Sequence, residues 1–257
     1  MGKRRTGAKP RCLDLFRRPE FLTARHAREI MMHDTGIRQH IIDRVLARRG
    51  RLHLFDRLTA ARTALVVIDM QGTFCAPGAP AEVPLSRALV APINRLAAGL
   101  RKAGGQVIWV NHANASSPAG SDWSGFFDRF VAADVRRRTI ESLAPGREGQ
   151  QVWAGLDVQP DDLKILKNRY SALIPGSSSL ERMLRSLGLD TLLVAGTKTN
   201  VCCESTARDA MMLDFNVVMV SDATAALSDE EHRATLETII QQFGDVLTVQ
   251  EILDRLI

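Results

Sequence analysis

The chain has 257 residues, 45% hydrophobic, 25% charged and 5% aromatic, enough apolar content for a buried core and too much for global disorder. No apolar run approaches the roughly 18 residues of a membrane-spanning helix, so the sequence predicts a soluble chain without a membrane partner. The net charge of +5 is unevenly spread: residues 1–60 hold 15 Lys/Arg against 6 Asp/Glu, and the remainder is mildly acidic.

Residues 1–60 read as a basic extension with one helix, and residues 61–257 as the main domain. Met31-Met32 offers a second place for translation to start, beside Met1. Ile37, Ile41, Ile42, Val45 and Leu46 fall at helical spacing over 37–49, with Gly50 where a helix-ending glycine belongs. The basic arm carries no aromatic interleaving, zinc-finger spacing or RNA-binding signature, which argues against a nucleic-acid partner. Four cysteines, two of them adjacent, fit no disulfide framework and point to a reducing compartment, the cytoplasm.

From residue 61 onward, apolar strands alternate with amphipathic helices. The β-branched run at 63–69 predicts a strand buried on both faces, followed by a helix over 86–103 and a second strand at 106–111. Residues 112–160 read as a long irregular region. Strands follow at 164–167, 191–196, 216–222 and 246–248, with helices over 178–187, 201–213, 228–242 and 249–256. This alternation predicts a doubly wound α/β fold, a mostly parallel six-stranded sheet with helices on both faces. Its active site belongs outside the carboxyl ends of the strands, where strand order reverses. No GxGxxG or P-loop pattern is present, so no dinucleotide cofactor is expected.

Three strand ends carry reactive groups. Asp69 ends the first strand, Lys167 the third, and the fourth leads through GTKTN to Cys202. In a parallel sheet all three emerge on one edge. A thiol at a helix N-terminus beside a lysine is expected to have a lowered pKa, and Asp69 can accept its proton. Asn111, with His112, stands at the end of the second strand as a substrate-hydrogen-bonding candidate, and Gln71, Phe74 and Tyr170 as pocket-wall candidates. Trp123, Phe126 and Phe127 form an aromatic group in the irregular region, read first as core packing and second as a lid or dimer contact. Cys203, about 100° further around the helix, is expected in the core.

VVIDMQ (66–71), KNRYSA (167–172) and GTKTNVCCESTARDA (196–210), in this order, resemble the isochorismatase-like cysteine hydrolases over roughly residues 60–250. The resemblance implies Cys202 as nucleophile, Asp69 and Lys167 as its catalytic partners, and an oxyanion hole from the backbone N–H groups of Lys198 and Cys202. It also implies a cis peptide at Thr197–Lys198. It points to hydrolysis of a small amide, ureido or carbamoyl compound through a thioester, nearest to the ureidoacrylate and N-carbamoyl hydrolases, in a homo-oligomer. The D-x-H…H metal cluster of nicotinamidases is missing from the second strand end, so no metal is expected. Two alternatives stand beside this reading: vinyl-ether cleavage of the isochorismatase type, and a non-catalytic thiol or nucleic-acid-binding protein.

Overall fold

The computed structural model describes residues 32–257 apart from 115, 118, 119 and 122. The expectations for residues 1–30, for an alternative start at Met31 and for Cys12 lie outside the described residues. Six strands form one sheet: β1 (Thr63–Ile68), β2 (Gln106–His112), β3 (Leu163–Lys167), β4 (Thr191–Thr197), β5 (Asn216–Ala225) and β6 (Asp245–Leu247). Their order is β3-β2-β1-β4-β5-β6, and every pairing is parallel. The chain winds outward from β1 through β2 to β3, then returns and winds the other way from β4 to β6. Strand order therefore reverses between β1 and β4, the place where open α/β sheets bind their ligands.

Strand periodicity sorts the core into two layers. Ala64, Val66 and Ile68 of β1, with Ile108, Val110, Leu192 and Val194, face one side. Leu65 and Val67, with Val107, Trp109, Leu193 and Ala195, face the other. The first side is covered by α1 (Gln39–Arg49), α6 (Leu180–Ser186), α7 (Glu204–Met212) and α8 (Asp229–Gln242). The second is covered by α3 (Val90–Lys102) and α9 (Val249–Arg255). Short helices α2 (Gly72–Cys75) and α4 (Ser124–Phe127), and α5 (Ala133–Ser142), stand at the carboxyl end of the sheet. A two-stranded hairpin, 116–117 against 120–121, precedes α4.

Residues before 61 continue this packing. Ile41 and Val45 of α1 are buried in the first layer, and Arg38 pairs with Glu237 of α8. His33 donates from Nδ1 to Asp229 at 2.7 Å and accepts the Ala226 N–H at 3.0 Å.

The helix expected over 86–103 begins as a 3-10 turn, Pro84–Leu89, before α3. That expected over 201–213 begins as a π-helical turn, Thr199–Cys203, before α7. Hydrophobic periodicity marks which face is buried but does not resolve helices of different pitch at their first turn.

Candidate active site

The site begins at the end of β1. Asp69 adopts φ +53°, a left-handed conformation that Asp tolerates better than most residues. Its N–H donates to Val110 O at 2.9 Å, tying the bend to β2. Across the reversal point, Gly196 of β4 has φ +108°, and a Cβ there would lie 2.1 Å from Ile68 O. Only glycine lets the two central strands close up directly beneath the site.

Lys167, at the end of β3, reaches past β2 toward β1. Its ammonium lies 2.8 Å from Asp69 Oδ2, 3.1 Å from Arg169 O, 3.1 Å from His112 Nδ1 and 3.5 Å from Cys202 Sγ. Lys167 and Asp69 are each only 1% exposed. The sheet thus brings together the three residues that the sequence placed on one edge. Burial pushes the Asp69 carboxyl up, and the Lys167 charge offsets only part of this. Burial works against the Lys167 ammonium too, but the Asp69 charge beside it holds its proton.

Cys202 departs from expectation in one respect. Burial, then the Asp69 carboxylate, push its thiol up, and Lys167 counters them only in part. The expected lowering took account of the lysine and the helix end but not of enclosure. Enclosure and the Asp69 charge thus favour the Cys202 thiol over the thiolate, with a carboxylate close by. Cys203 is fully buried with its sulfur turned toward Ala195 O at 3.9 Å, and Cys75, Cys202 and Cys203 are free thiols.

The peptide Thr197–Lys198 is cis. Lys198 and Cys202, which the resemblance pairs as oxyanion donors, both line the cavity above the sulfur. That cavity has a volume of about 520 Å³ and is also lined by Asp69, His112, Phe74 and Tyr170. Phe74 and Tyr170 thus lie where a pocket wall was expected.

Gln71 and Asn111 do not line it, and these two expectations are corrected. The Gln71 side chain is fully buried: it donates to His112 O and Gln150 O at 3.0 and 2.8 Å and accepts the His112 N–H at 2.7 Å. It clamps the backbone of β2 beside the end of β1. Asn111 Nδ2 donates to Gln150 O at 3.2 Å, on the side of the strand away from the cavity. The reason is the alternation of strand side chains, which sends Asn111 and His112 to opposite faces.

His112 is the residue that sequence reasoning underweighted. Its Nδ1 accepts from the Lys167 ammonium, so its ring proton sits on Nε2 and is donated to Asn114 Oδ1 at 2.7 Å. Burial and the Lys167 charge lower its pKa to about 3, keeping the ring neutral. Trp123, Phe126 and Phe127, read first as core, form part of the cavity wall. Among the described residues no group of three His, Cys, Asp or Glu side chains is arranged to hold a metal ion.

The Isochorismatase domain model matches residues 63–251. An uncharacterized isochorismatase family protein of Escherichia coli O157:H7 is 32% identical over 206 residues, covering 77% of this chain and 98% of that protein. A protein of Arabidopsis thaliana named a probable inactive nicotinamidase is 34% identical over 176 residues, 68% of this chain and 86% of its own. The crystal structure of a cysteine hydrolase from Pseudomonas syringae pv. phaseolicola superposes with a TM-score of 0.71 at 30% identity, over 80% of this chain and 96% of that one. Sequence and architecture agree over the whole stretch that carries the site, and the chain belongs to the isochorismatase family, among the isochorismatase-like cysteine hydrolases.

Proposed function

We propose that this protein hydrolyses a C–N bond of a small amide, ureido or carbamoyl compound, with Cys202 as nucleophile and Asp69 as the proton carrier. The observation that carries the reading is the enclosed contact of Lys167 with Asp69 at 2.8 Å and with Cys202 at 3.5 Å. A buried carboxylate whose affinity for a proton is raised, beside a thiol that keeps its own, is suited to general-base and then general-acid work.

In this mechanism the Cys202 S–H gives its proton to Asp69 as sulfur attacks the carbonyl carbon. The negative charge that develops on oxygen is received by the Lys198 and Cys202 N–H groups. Asp69 then passes the proton to the nitrogen, the C–N bond breaks, and ammonia or an amine leaves a thioester on Cys202. Water gives a proton to Asp69 and attacks the thioester carbon, and the acid departs as sulfur takes the proton back. Lys167 stays charged throughout, anchoring Asp69 and stabilising the transient thiolate. The His112 ring, neutral and accepting from Lys167, holds the ammonium in line with both partners.

The test is ammonia release from primary amides and N-carbamoyl compounds by the wild type and by Cys202→Ala. The expected result is release by the wild type and none by the variant, with a hydroxylamine-sensitive adduct on Cys202 detected by mass spectrometry. Equal activity of the two proteins on any substrate overturns the nucleophile assignment, and vinyl-ether cleavage that survives Cys202→Ala would support the isochorismatase-type reaction instead.

A further inference from the structure

A second cavity, of about 310 Å³, opens at the other end of the sheet, where β5 and β6 begin. Asn216 and Val217 at the start of β5 and Gly244 just before β6 line it. Arg44, Arg48 and Arg49 of α1 supply its charge, and Gln241 and Gln242 of α8 line it beside them. The residues of α1 lie outside the stretch 63–251 that the Isochorismatase domain model matches, so the charged wall is an addition of this chain to that domain.

The three guanidinium groups donate only to neutral oxygens. Arg49 is spent on the backbone, through Ile240 O at 3.0 Å, Arg51 O at 3.1 Å and Leu52 O, and so fastens α1 to α8. Arg44 Nη1 donates to Gln241 Oε1 at 3.0 Å, and Arg48 Nη1 to Gln242 Oε1 at 2.7 Å and Gln241 O at 3.2 Å. The Nε–Nη2 edge of both Arg44 and Arg48 has no acceptor among the described residues. Nearby, Arg38 uses that same edge to hold the Glu237 carboxylate, and Arg185 and Arg208 hold Glu181 and Glu204. Among the described residues no Asp or Glu lines the cavity. Burial lowers the Arg49 pKa, the Asp245 charge opposes this, and the charges of Arg51 and Arg48 add to it. Asp245 itself is committed to His53 Nδ1 at 3.0 Å and to the N–H groups of Leu54 and Phe55 at 2.6 and 3.3 Å. The carboxyl end of α1 favours basic residues and accounts for Arg48 and Arg49, but Arg44 stands more than one turn earlier and lines the same space.

Like charges around one space, two of them with an unspent edge, suit an anion of more than one charge. A phosphate monoester dianion presents three oxygens and can accept from both edges at once, whereas the two oxygens of a carboxylate match one edge. Phe55 and Phe243, both half-buried, also line the cavity and offer apolar surface to a body attached to the phosphate. A volume of about 310 Å³ stands at the lower end of the range for small-molecule pockets and suits a head group with one ring. We infer that this cavity, at the amino ends of β5 and β6, binds a small organic phosphate monoester, with its phosphate on Arg44 and Arg48 and its apolar body against Phe55 and Phe243. The site is separate from Cys202 and does not rest on the proposed hydrolysis.

Calorimetry on the full chain tests this, with phenyl phosphate, benzoate and inorganic phosphate as probes at low and at physiological salt. Phenyl phosphate is expected to bind once per chain, more tightly than either other probe, and to weaken as salt rises. Arg44→Gln and Arg48→Gln are each expected to weaken it about ten-fold or more, since each removes hydrogen bonds between charged groups. Arg48→Lys keeps the charge without the planar edge and is expected to fall between wild type and Arg48→Gln. Lys102→Gln, at an exposed cation of α3 across the sheet, and Cys202→Ala are expected to leave binding unchanged. Thermal melts give a second reading, a rise in Tm with phenyl phosphate that both glutamine variants lose. No phenyl phosphate binding, equal binding of benzoate or of inorganic phosphate, loss of binding in Cys202→Ala, or indifference to both glutamine variants overturns the inference. A single-stranded oligonucleotide that displaces phenyl phosphate and binds more tightly would also overturn it, assigning the arginines to nucleic acid.

Discussion

Replacing Lys167 with methionine tests the electrostatic arrangement without touching Cys202, the proposed nucleophile. The side chain is 1% exposed, so methionine occupies nearly the same space while removing the charge 2.8 Å from Asp69 Oδ2. Asp69 is then a buried carboxylate with no cation, and breaking a buried pair by removing one partner costs about 3–5 kcal/mol. For a domain of this size each kcal/mol lowers Tm by about 2–4 °C, so a fall of roughly 6–20 °C is expected at pH 8. The deficit has a definite pH dependence. Burial already raises the Asp69 pKa with the lysine present, and the loss of Lys167 raises it further. A group that binds its proton more tightly in the folded state favours folding as pH falls, so the gap from wild type should narrow between pH 8 and pH 5. The Asp69→Asn/Lys167→Met double variant removes both charges and should recover most of the loss, while remaining inactive. Thermal melts of the wild type, both single variants and the double variant across that pH range decide the matter. A Lys167→Met protein within 2 °C of wild type at every pH, or a double variant less stable than either single one, would refute the reasoning.

Gln71→Ala is expected to lower stability by about 2–5 kcal/mol, since it strands the His112 N–H and carbonyl groups away from water, and a thermal melt measures the loss. A fall in ammonia-release KM or kcat with an unchanged Tm would contradict its role as a clamp. Limited alkylation with iodoacetamide, read by peptide mass spectrometry, should mark Cys202 before Cys75 or Cys203, because Cys202 alone of the three lines the cavity. Its rate should rise with pH up to at least pH 9, because burial and Asp69 hold the thiol protonated. A rate already flat at pH 7 would indicate a standing thiolate.

Much of this protein was legible in the sequence because its information is local and periodic. The β-branched run ending at Asp69, the short strand ending at Lys167 and the apolar strand leading to Cys202 each announce a strand and a reactive group at its end. Parallel topology then requires all three groups to share an edge, since every strand points the same way. Their order and surroundings also carried the resemblance to a family. None of this needed coordinates.

The tertiary structure decided what depends on enclosure and on side-chain direction. Asn111 and His112 are equally polar and adjacent, and only the register of β2 shows that His112 meets Lys167 while Asn111 turns to Gln150. Gln71 follows Asp69 closely enough to look like a pocket wall, but its amide is spent on the backbone of β2. Trp123, Phe126 and Phe127 sit in a segment without periodicity, and nothing local distinguishes an aromatic core from an aromatic pocket wall. The protonation of Cys202 was decided in the same way. A helix end and a lysine argue for thiolate, and the opposing terms, desolvation and the Asp69 charge, arise only once residues more than a hundred positions apart have closed around the sulfur.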